Sequence, residues 1–209
     1  MKILIADDHT IVRKGVKMLL TEAYPFTEIT DVSDSIDLVK MLSKDKWDII
    51  ISDVSMPPGD SGIETIKKIK EYAPGSPVLI LTMHPAEEYA VRAIKAGASG
   101  YLSKSADTSE FIKAVNTVLS GRKYLSEEVA DIMADAFMND HENRSVDRLS
   151  NREFEVFKLL AAGKTISQIA KDIFLSSNTI STFRSKIFEK MSFHNNMELI
   201  KYAVDNKLV

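Results

Sequence analysis

The sequence contains no cysteine, which excludes disulfide bonds, thiol catalysis and thiolate metal sites. Histidine is also scarce, and the four residues show no spacing typical of zinc ligands: His9, His84, His141 and His194. No run approaches the roughly 20 apolar residues of a membrane-spanning helix. The first residues, MKILIADDH, become acidic too early for a signal peptide. We therefore expect a soluble intracellular protein with no membrane partner.

Strong charge of either sign is absent as well, since the net charge over 209 residues is only -3. This small value hides an uneven distribution. Residues 147–209 carry 10 Lys/Arg and 7 Asp/Glu. The rest of the chain carries the remaining 17 Lys/Arg and 23 Asp/Glu. An acidic first part and a mildly basic second part favour two domains with different partners. The length is sufficient for two small domains.

The first part alternates short apolar runs with helical patterns. Five runs are predicted to be strands: Lys2–Ala6, Glu28–Val32, Asp48–Ser52, Val78–Thr82 and Gly100–Ser103. A helical pattern follows each of them, and Gly97 and Gly121 are placed to end two of these helices. Five such units predict a parallel sheet with helices on both faces, an α/β domain of the flavodoxin-like (βα)5 type.

The remainder of the chain is predicted to be helical. Residues 126–137 have a helical pattern, and the polar stretch MNDHENRSVD (138–147) is typical of a linker. We predict a first domain at 1–121, a linker with a helix at 122–147 and a small all-α domain at 148–209. The pattern does not say whether the linker helix packs on the first domain or extends from it.

Polar residues follow the ends of several predicted strands. Asp7 and Asp8 follow the first strand, Asp53 follows the third, Thr82 ends the fourth and Lys104 follows the fifth. In the strand order 2-1-3-4-5 the first and third strands are neighbours, so the three carboxylates converge at the carboxyl edge of the sheet. Such a cluster suits Mg²⁺, which prefers oxygen ligands.

A carboxylate beside Mg²⁺ can act as a nucleophile and form an acyl phosphate. Asp53 is placed for this role, with Lys104 and Thr82 as partners of the phosphoryl oxygens. The turn that follows, from Ser55 onward, can offer a backbone carbonyl to the metal ion. The sequence therefore predicts a phosphoacceptor site.

These motifs resemble the receiver domain of two-component response regulators over about the first 120 residues. The matching segments are IADDH, SDVSMP, LTMH and YLSKS. The resemblance implies that Asp53 accepts phosphate from a sensor histidine kinase or a small phosphodonor. It also implies that Asp7 and Asp8 help to hold Mg²⁺, and that Thr82 and Tyr101 are switch residues. Two departures are a turn, MPPGDSG, that is one residue longer than usual and Ser105 where proline is common.

Other interpretations stay open at this point. Each of these residues also has a simpler structural interpretation. Asp8 or Thr10 could cap the first helix, Asp53 could be a turn residue, and Thr82 an ordinary strand residue. Tyr101 could be a core aromatic and Lys104 a surface lysine. A phosphohydrolase is disfavoured, because Ser55 stands where such enzymes place a second Asp. A flavin binder is disfavoured because no Ser/Thr/Gly-rich loop follows the first strand. We therefore expect that the protein is not an enzyme.

The last part of the chain has the pattern of a helix-turn-helix. Ser150 followed by Glu153 is a helix-cap signal, and a short helix over 166–173 precedes a longer one over 177–191. At about 100° per residue, one stripe of the longer helix is predicted to face the core. Its residues are Ile180, Phe183, Ile187 and Met191.

The opposite face of the longer helix is suited to a DNA major groove. It carries small polar and basic residues: Asn178, Ser181, Thr182, Ser185 and Lys186. Thr179 is placed to meet a phosphate at the helix N-terminus, and Lys164, Arg184 and Lys190 are candidate phosphate contacts.

This region resembles the LuxR-type helix-turn-helix of the NarL/FixJ family over about 60 residues, through LSNREFEVFKLLAAGKTISQIA and LSSNTISTFRSKIFEKM. Ser181 and Phe183 replace the basic residue and histidine that are frequent in that family. The resemblance implies a bacterial, cytoplasmic transcription regulator that binds double-stranded DNA as a homodimer when phosphorylated. A helical dimerisation module without DNA, and DNA binding that is independent of phosphate, are the alternatives.

Overall fold

A computed structural model describes residues 1–57, 62–138, 146–206 and 208. The chain divides into two compact units, Met1–Asn139 and Asp140–Val209. Residues 58–61 of the turn after Asp53 and residues 139–145 of the polar linker lie outside the described residues. Within the described part of the chain, every helix is too short or too polar to cross a membrane.

The first unit is built on a five-stranded parallel sheet. The strands are β1 (Lys2–Ala6), β2 (Glu28–Val32), β3 (Ile49–Ser52), β4 (Val78–Thr82) and β5 (Gly100–Ser103), in the order β2-β1-β3-β4-β5. The predicted flavodoxin-like α/β class is therefore confirmed. Strand β3 begins one residue later than predicted. Because β1 pairs with β3 and places Ala6 opposite Ser52, the chain leaves both strands at the same point of the sheet edge.

Helices cover both faces of this sheet because apolar strand residues point to both of them. The helices are α1 (Thr10–Ala23), α2 (Ser35–Leu42), α3 (Gly62–Tyr72), α4 (Ala86–Lys95) and α5 (Thr108–Leu119). On β1, Ile3 and Ile5 face the core under α1 and α5, whereas Leu4 and Ala6 face the core under α2, α3 and α4. Gly97, with φ +107°, follows α4 as its predicted end.

A sixth helix, α6 (Glu127–Met138), belongs to the first unit and packs against α4. Val129 is buried in the same core as Tyr101, and Ile132 and Met133 pack against that core. The preceding segment is attached to the sheet, since Tyr124 forms a bridge with Gly100. The linker helix therefore covers the α4 face of the first unit, a question that the sequence left open.

In the part of the second unit that the structure describes, four helices follow a 3₁₀ turn at Val146–Arg148. They are α7 (Asn151–Ala161), α8 (Ile166–Asp172), α9 (Ser177–Met191) and α10 (Asn196–Asp205). Ser150 and Glu153 form the predicted capping box of α7. The predicted core stripe of α9 is also confirmed: Ile180, Ile187 and Met191 are buried, and Phe183 packs against them. The all-α class of this unit is therefore confirmed.

The turn between α8 and α9 has an unusual backbone conformation at Phe174. Phe174 adopts φ 55°, a left-handed conformation that disfavours bulky side chains, and its side chain is 93% exposed. Leu175 then packs against the core, and Ser176 caps α9 by accepting a hydrogen bond from the Thr179 backbone N–H. This tight turn sets α9 on α8 in a helix-turn-helix arrangement.

Candidate functional site

Two carboxylates and one lysine meet at the carboxyl edge of the sheet. Asp7 and Asp53 are 3% and 5% exposed, and the Lys104 Nζ lies 2.7 Å from Asp7 Oδ2 and 2.6 Å from Asp53 Oδ2. Burial opposes the charge on Lys104, but hydrogen bonds to Asp53 and Asp7 outweigh it, so the pKa of Lys104 is raised. The lysine is therefore a buried cation held between two carboxylates.

Asp53 is held by the backbone on its other side. Its N–H donates to the Ala6 carbonyl at 2.7 Å, which extends the pairing of β1 with β3. Its Oδ1 accepts hydrogen bonds from the Val54 N–H and, at 3.4 Å, from the Ser55 N–H. The carboxylate is thus fixed by a turn and by Lys104, and it is not merely a turn residue at the surface.

Asp8 completes the acidic cluster from a more exposed position, with 35% of its side chain accessible. Its Oδ1 lies 2.7 Å from His9 Nδ1, and Asp7 Oδ1 accepts a hydrogen bond from the His9 backbone N–H. His9 is the N-cap residue of α1, whose cap has no side-chain hydrogen bond. Neither Asp8 nor Thr10 therefore caps this helix.

The geometry of the cluster fits a hard divalent cation. Asp7, Asp8, His9 and Asp53 each offer a ligand atom, and these atoms all lie within 4.8 Å of one another. Three of the four are carboxylates, which are the ligands that Mg²⁺ prefers. Asp7 and Asp53 are buried and Asp8 is exposed, and carboxylates at this distance repel each other, so their charges would stabilise a divalent cation there.

Thr82 and Tyr101 both hydrogen-bond to the backbone of His84, in the loop that precedes α4. Thr82 is fully buried, and its Oγ1 accepts a hydrogen bond from the His84 N–H at 3.3 Å. The Tyr101 ring lies inside the protein, and its hydroxyl donates to the His84 carbonyl at 2.8 Å. Burial raises the pKa of Tyr101 above its usual range, so the phenol stays protonated.

His84 belongs to the site, although no sequence motif indicated it. Its Nε2 lies 2.8 Å from Ser55 Oγ, which joins the turn after Asp53 to the loop after Thr82, and its ring packs on Tyr89 at 4.5 Å. His84 follows the end of a strand by two residues, so the rule that identified Lys104 could have found it. Arg13 was also missed, and its guanidinium donates to the Asp7 carbonyl.

The second unit exposes the predicted polar face of α9. Asn178, Ser181, Thr182, Ser185 and Lys186 are all exposed, whereas Thr179 is half-buried beside the cap residue Ser176. Because Ser176 caps the helix, Asn178 is not its cap. These side chains lie on one surface, opposite the buried stripe.

Three of the predicted phosphate contacts already have partners within the second unit. Lys190 Nζ lies 2.6 Å from Glu153 Oε2, and Lys164 Nζ lies 2.7 Å from Asp172. The Arg184 guanidinium stacks on Phe188 at 4.2 Å and donates to the Asn196 side chain. These cations are therefore oriented by the protein itself.

Comparison with known families decides the identity of both units. Residues 3–116 match the response regulator receiver domain, and residues 147–203 match the luxR family of bacterial regulatory proteins. The chain belongs to the response regulators. It has the receiver domain and the LuxR-type DNA-binding domain of a phosphorylation-regulated transcription regulator.

Known proteins with both domains resemble this response regulator over its whole length. Oxygen regulatory protein NreC of Staphylococcus epidermidis is 34% identical, over 100% of this chain and 99% of that protein. RcsB of Salmonella enterica serovar Typhimurium, solved on a promoter with the phosphomimetic BeF3⁻, is 30% identical. Its TM-score is 0.62, with 97% of each chain covered. A second structure shows two RcsB dimers on parallel DNAs, at 28% identity, a TM-score of 0.60 and 98% coverage of each chain.

Proposed function

We propose that Asp53 is the phosphoacceptor of this response regulator and that its phosphorylation, in a Mg²⁺-dependent reaction, controls dimerisation and DNA binding. The observation that carries the proposal is the position of Lys104 Nζ, within 2.7 Å of both Asp7 and Asp53. A buried cation beside a turn-held carboxylate neutralises the charge that an incoming phosphoryl group adds.

Each residue of the site has a distinct role in this proposal. An Asp53 oxygen forms a bond to phosphorus, while the P–N bond of a sensor kinase phosphohistidine, or the P–O bond of acetyl phosphate, breaks. Lys104 and the Thr82 hydroxyl bind phosphoryl oxygens. Asp7, Asp8, Asp53 and the Ser55 backbone carbonyl hold Mg²⁺, which neutralises phosphoryl charge when bound.

The switch in this proposal runs through the loop after Thr82. If Thr82 moves to meet the phosphoryl group, it pulls on the His84 N–H that it binds, and His84 in turn contacts Tyr101 through its carbonyl. Phosphate must favour the active arrangement by a free-energy difference, because binding without preference shifts no equilibrium. Tyr101 is thus the proposed link between the site and the α4 face.

DNA binding in this proposal uses the exposed face of α9. Asn178, Ser181, Thr182, Ser185 and Lys186 meet the major groove, and Thr179, Lys164, Arg184 and Lys190 meet phosphates. The structure of RcsB bound to promoter DNA supports DNA binding by this chain, and a symmetric homodimer would recognise an inverted repeat. Cytoplasmic location follows from the same role.

Intact-protein mass spectrometry after incubation with acetyl phosphate and Mg²⁺ tests the acceptor. The wild-type chain should gain one phosphoryl group, and Asp53→Asn should gain none. Asp45→Asn, which removes an exposed carboxylate, should behave like wild type. An equal adduct on Asp53→Asn would show that another residue is the acceptor, and EDTA should abolish the wild-type adduct.

A further inference from the structure

The exposed face of α9 that is proposed to enter the groove is uncharged at its centre. Asn178, Ser181, Thr182 and Ser185, here called the reading face, are all exposed and lie opposite the buried stripe. Lys186 lies at the edge of this face, and Glu189 continues it one turn later. The short side chains allow the α9 backbone to approach the floor of a groove closely.

The hydroxyl groups of the reading face are directed back toward the helix. Ser181 Oγ donates to the Ser177 carbonyl at 2.9 Å, Thr182 Oγ1 to the Asn178 carbonyl at 3.0 Å, and Ser185 Oγ to the Ser181 carbonyl at 3.1 Å. These bonds use the three hydroxyl protons. The oxygen lone pairs remain as acceptors. Because Thr182 is exposed and its hydroxyl is bonded to the helix, its methyl group is the part of the side chain left to contact a base.

The resulting surface discriminates between base pairs. Guanine presents two acceptors in the major groove and is read best by a charged bidentate donor. Of the two cations near the reading face, Arg184 is stacked on Phe188 and bound to Asn196, and Lys186 lies at the edge of the face, away from its centre. An Asn side chain instead matches adenine N6 and N7, and a Thr methyl group matches the methyl group of thymine.

We propose that the reading face recognises A·T pairs, with the Asn178 amide on an adenine and the Thr182 methyl group on a thymine methyl group. The inference rests on the DNA binding proposed above and specifies its sequence preference. Lys186, at the edge of the face, contributes a positive charge that helps to position α9 on the DNA. The centre of each half-site is accordingly A·T, with guanine excluded from the base pairs that face Asn178 and Thr182.

The test begins with binding-site selection from a random double-stranded DNA library, using the full-length chain with acetyl phosphate and Mg²⁺. Each thymine of the selected site is then replaced by deoxyuridine, which removes only the methyl group. At one position per half-site the replacement should weaken binding by about 3- to 10-fold. Thr182→Ser keeps the hydroxyl and should bind both DNAs equally.

Two further variants separate the roles within the reading face. Ser185→Ala should keep the wild-type sensitivity to deoxyuridine. Replacing the facing adenine by 7-deazaadenine, which lacks N7, should weaken binding by the wild type and leave Asn178→Ala unaffected.

Three results would count against the inference. Guanine or cytosine at the centre of the selected half-sites, or tight binding that is indifferent to deoxyuridine at every thymine, would overturn the A·T preference while DNA binding stands. Failure to enrich any sequence would instead overturn the proposed DNA binding on which it rests.

Discussion

At the scale of single residues, the charge balance of the site depends on Lys104. Its side chain is 6% exposed and contacts both buried carboxylates. Burying a charge is costly unless it is paired, so each of the three groups is stable there because of the others. The same arrangement makes a divalent cation and a lysine alternative ways to neutralise Asp7 and Asp53.

Replacing Lys104 by Met should therefore make the receiver domain dependent on Mg²⁺. Without the metal ion, the unpaired carboxylates should lower the free energy of unfolding by about 3 kcal/mol. Added Mg²⁺ should then raise Tm more in this variant than in wild type. The fluorescence of Trp47, the single tryptophan, reports the unfolding of this domain.

Lys40→Met is the matched control, since Lys40 forms an exposed ion pair with Asp37 in the same domain. Such pairs contribute up to about 1 kcal/mol, so little change is expected in this variant. An identical Mg²⁺ response in wild type and Lys104→Met would show that Lys104 does not neutralise the cluster.

Glu153 makes the DNA-binding domain sensitive to acid. It is buried, which favours the neutral acid, but hydrogen bonds from Lys190 and Ser150 outweigh burial and lower the pKa of Glu153 from 4.5. The unfolded chain therefore takes up this proton at a higher pH than the folded chain. The stabilising contribution is complete above about pH 4.5 and is lost as the pH falls through the lowered pKa.

Glu153→Gln should lower the free energy of unfolding of this domain by about 1–3 kcal/mol at pH 7. The difference from wild type should shrink below pH 4.5, as followed by far-UV circular dichroism. Glu189→Gln, which changes an exposed carboxylate of α9, should show neither effect. A difference for Glu153→Gln that stays constant down to pH 3 would contradict the assignment.

At the scale of elements, α6 is joined to the face that carries the proposed switch. Val129 and Tyr101 share one core, and a groove of about 610 Å³ beside them is lined by residues of α4, β5 and α6. The segment before α6 is held by the Tyr124 N–H, which donates to the Ser99 carbonyl at 2.8 Å. A movement of Tyr101 would therefore change the packing of α6.

Gly100 permits the approach of this segment, and Gly100→Ala should disrupt it. A Cβ there would lie 2.9 Å from Leu79 Cδ1 and 3.1 Å from the Tyr124 carbonyl oxygen. We expect a loss of about 1–3 kcal/mol in stability and faster hydrogen exchange in α6. The measurements are Trp47 fluorescence during denaturant unfolding and hydrogen exchange followed by mass spectrometry.

Gly15→Ala provides a control that should raise the stability of the same domain. Gly15 lies within α1, and a Cβ added there would meet no neighbouring atom within 4 Å, so alanine should stabilise the helix by about 0.5–1 kcal/mol. Unchanged exchange of α6 in Gly100→Ala would show that Tyr124 does not anchor this helix.

At the scale of the whole molecule, an acidic receiver domain is linked to a mildly basic DNA-binding domain. Phosphorylation adds a charge of about -1.5 to -2 to the receiver domain. A homodimer is the active form in the function proposed above. Paired half-sites then act together, because the second contact becomes intramolecular once the first is made.

We predict that acetyl phosphate and Mg²⁺ convert the wild-type chain from monomer to dimer and raise its apparent affinity for an inverted-repeat site at least about tenfold. Light scattering and fluorescence anisotropy measure these two changes. Scrambling one half-site should weaken binding by about 100-fold or more. Asp53→Asn should stay monomeric, and an unchanged affinity in phosphorylated wild type would indicate regulation that is independent of phosphate.

Much of this protein is determined by its sequence alone. The alternation of apolar residues in β1 and the helical stripe of Ile180, Ile187 and Met191 follow from local periodicity, so strands, helices and fold class could be predicted. The order of Asp7, Asp53, Thr82 and Lys104 along successive strands also predicted a common edge, because parallel strands end on the same side of their sheet.

Tertiary structure decided the contacts between residues far apart in sequence. It placed Lys104 between Asp7 and Asp53, laid α6 against α4, and bound Lys190 to the buried Glu153. None of these follows from a local period, because each depends on loop geometry and on which surfaces remain to be covered once the sheet has formed. The sequence determines the elements, whereas packing determines which charges they bring together.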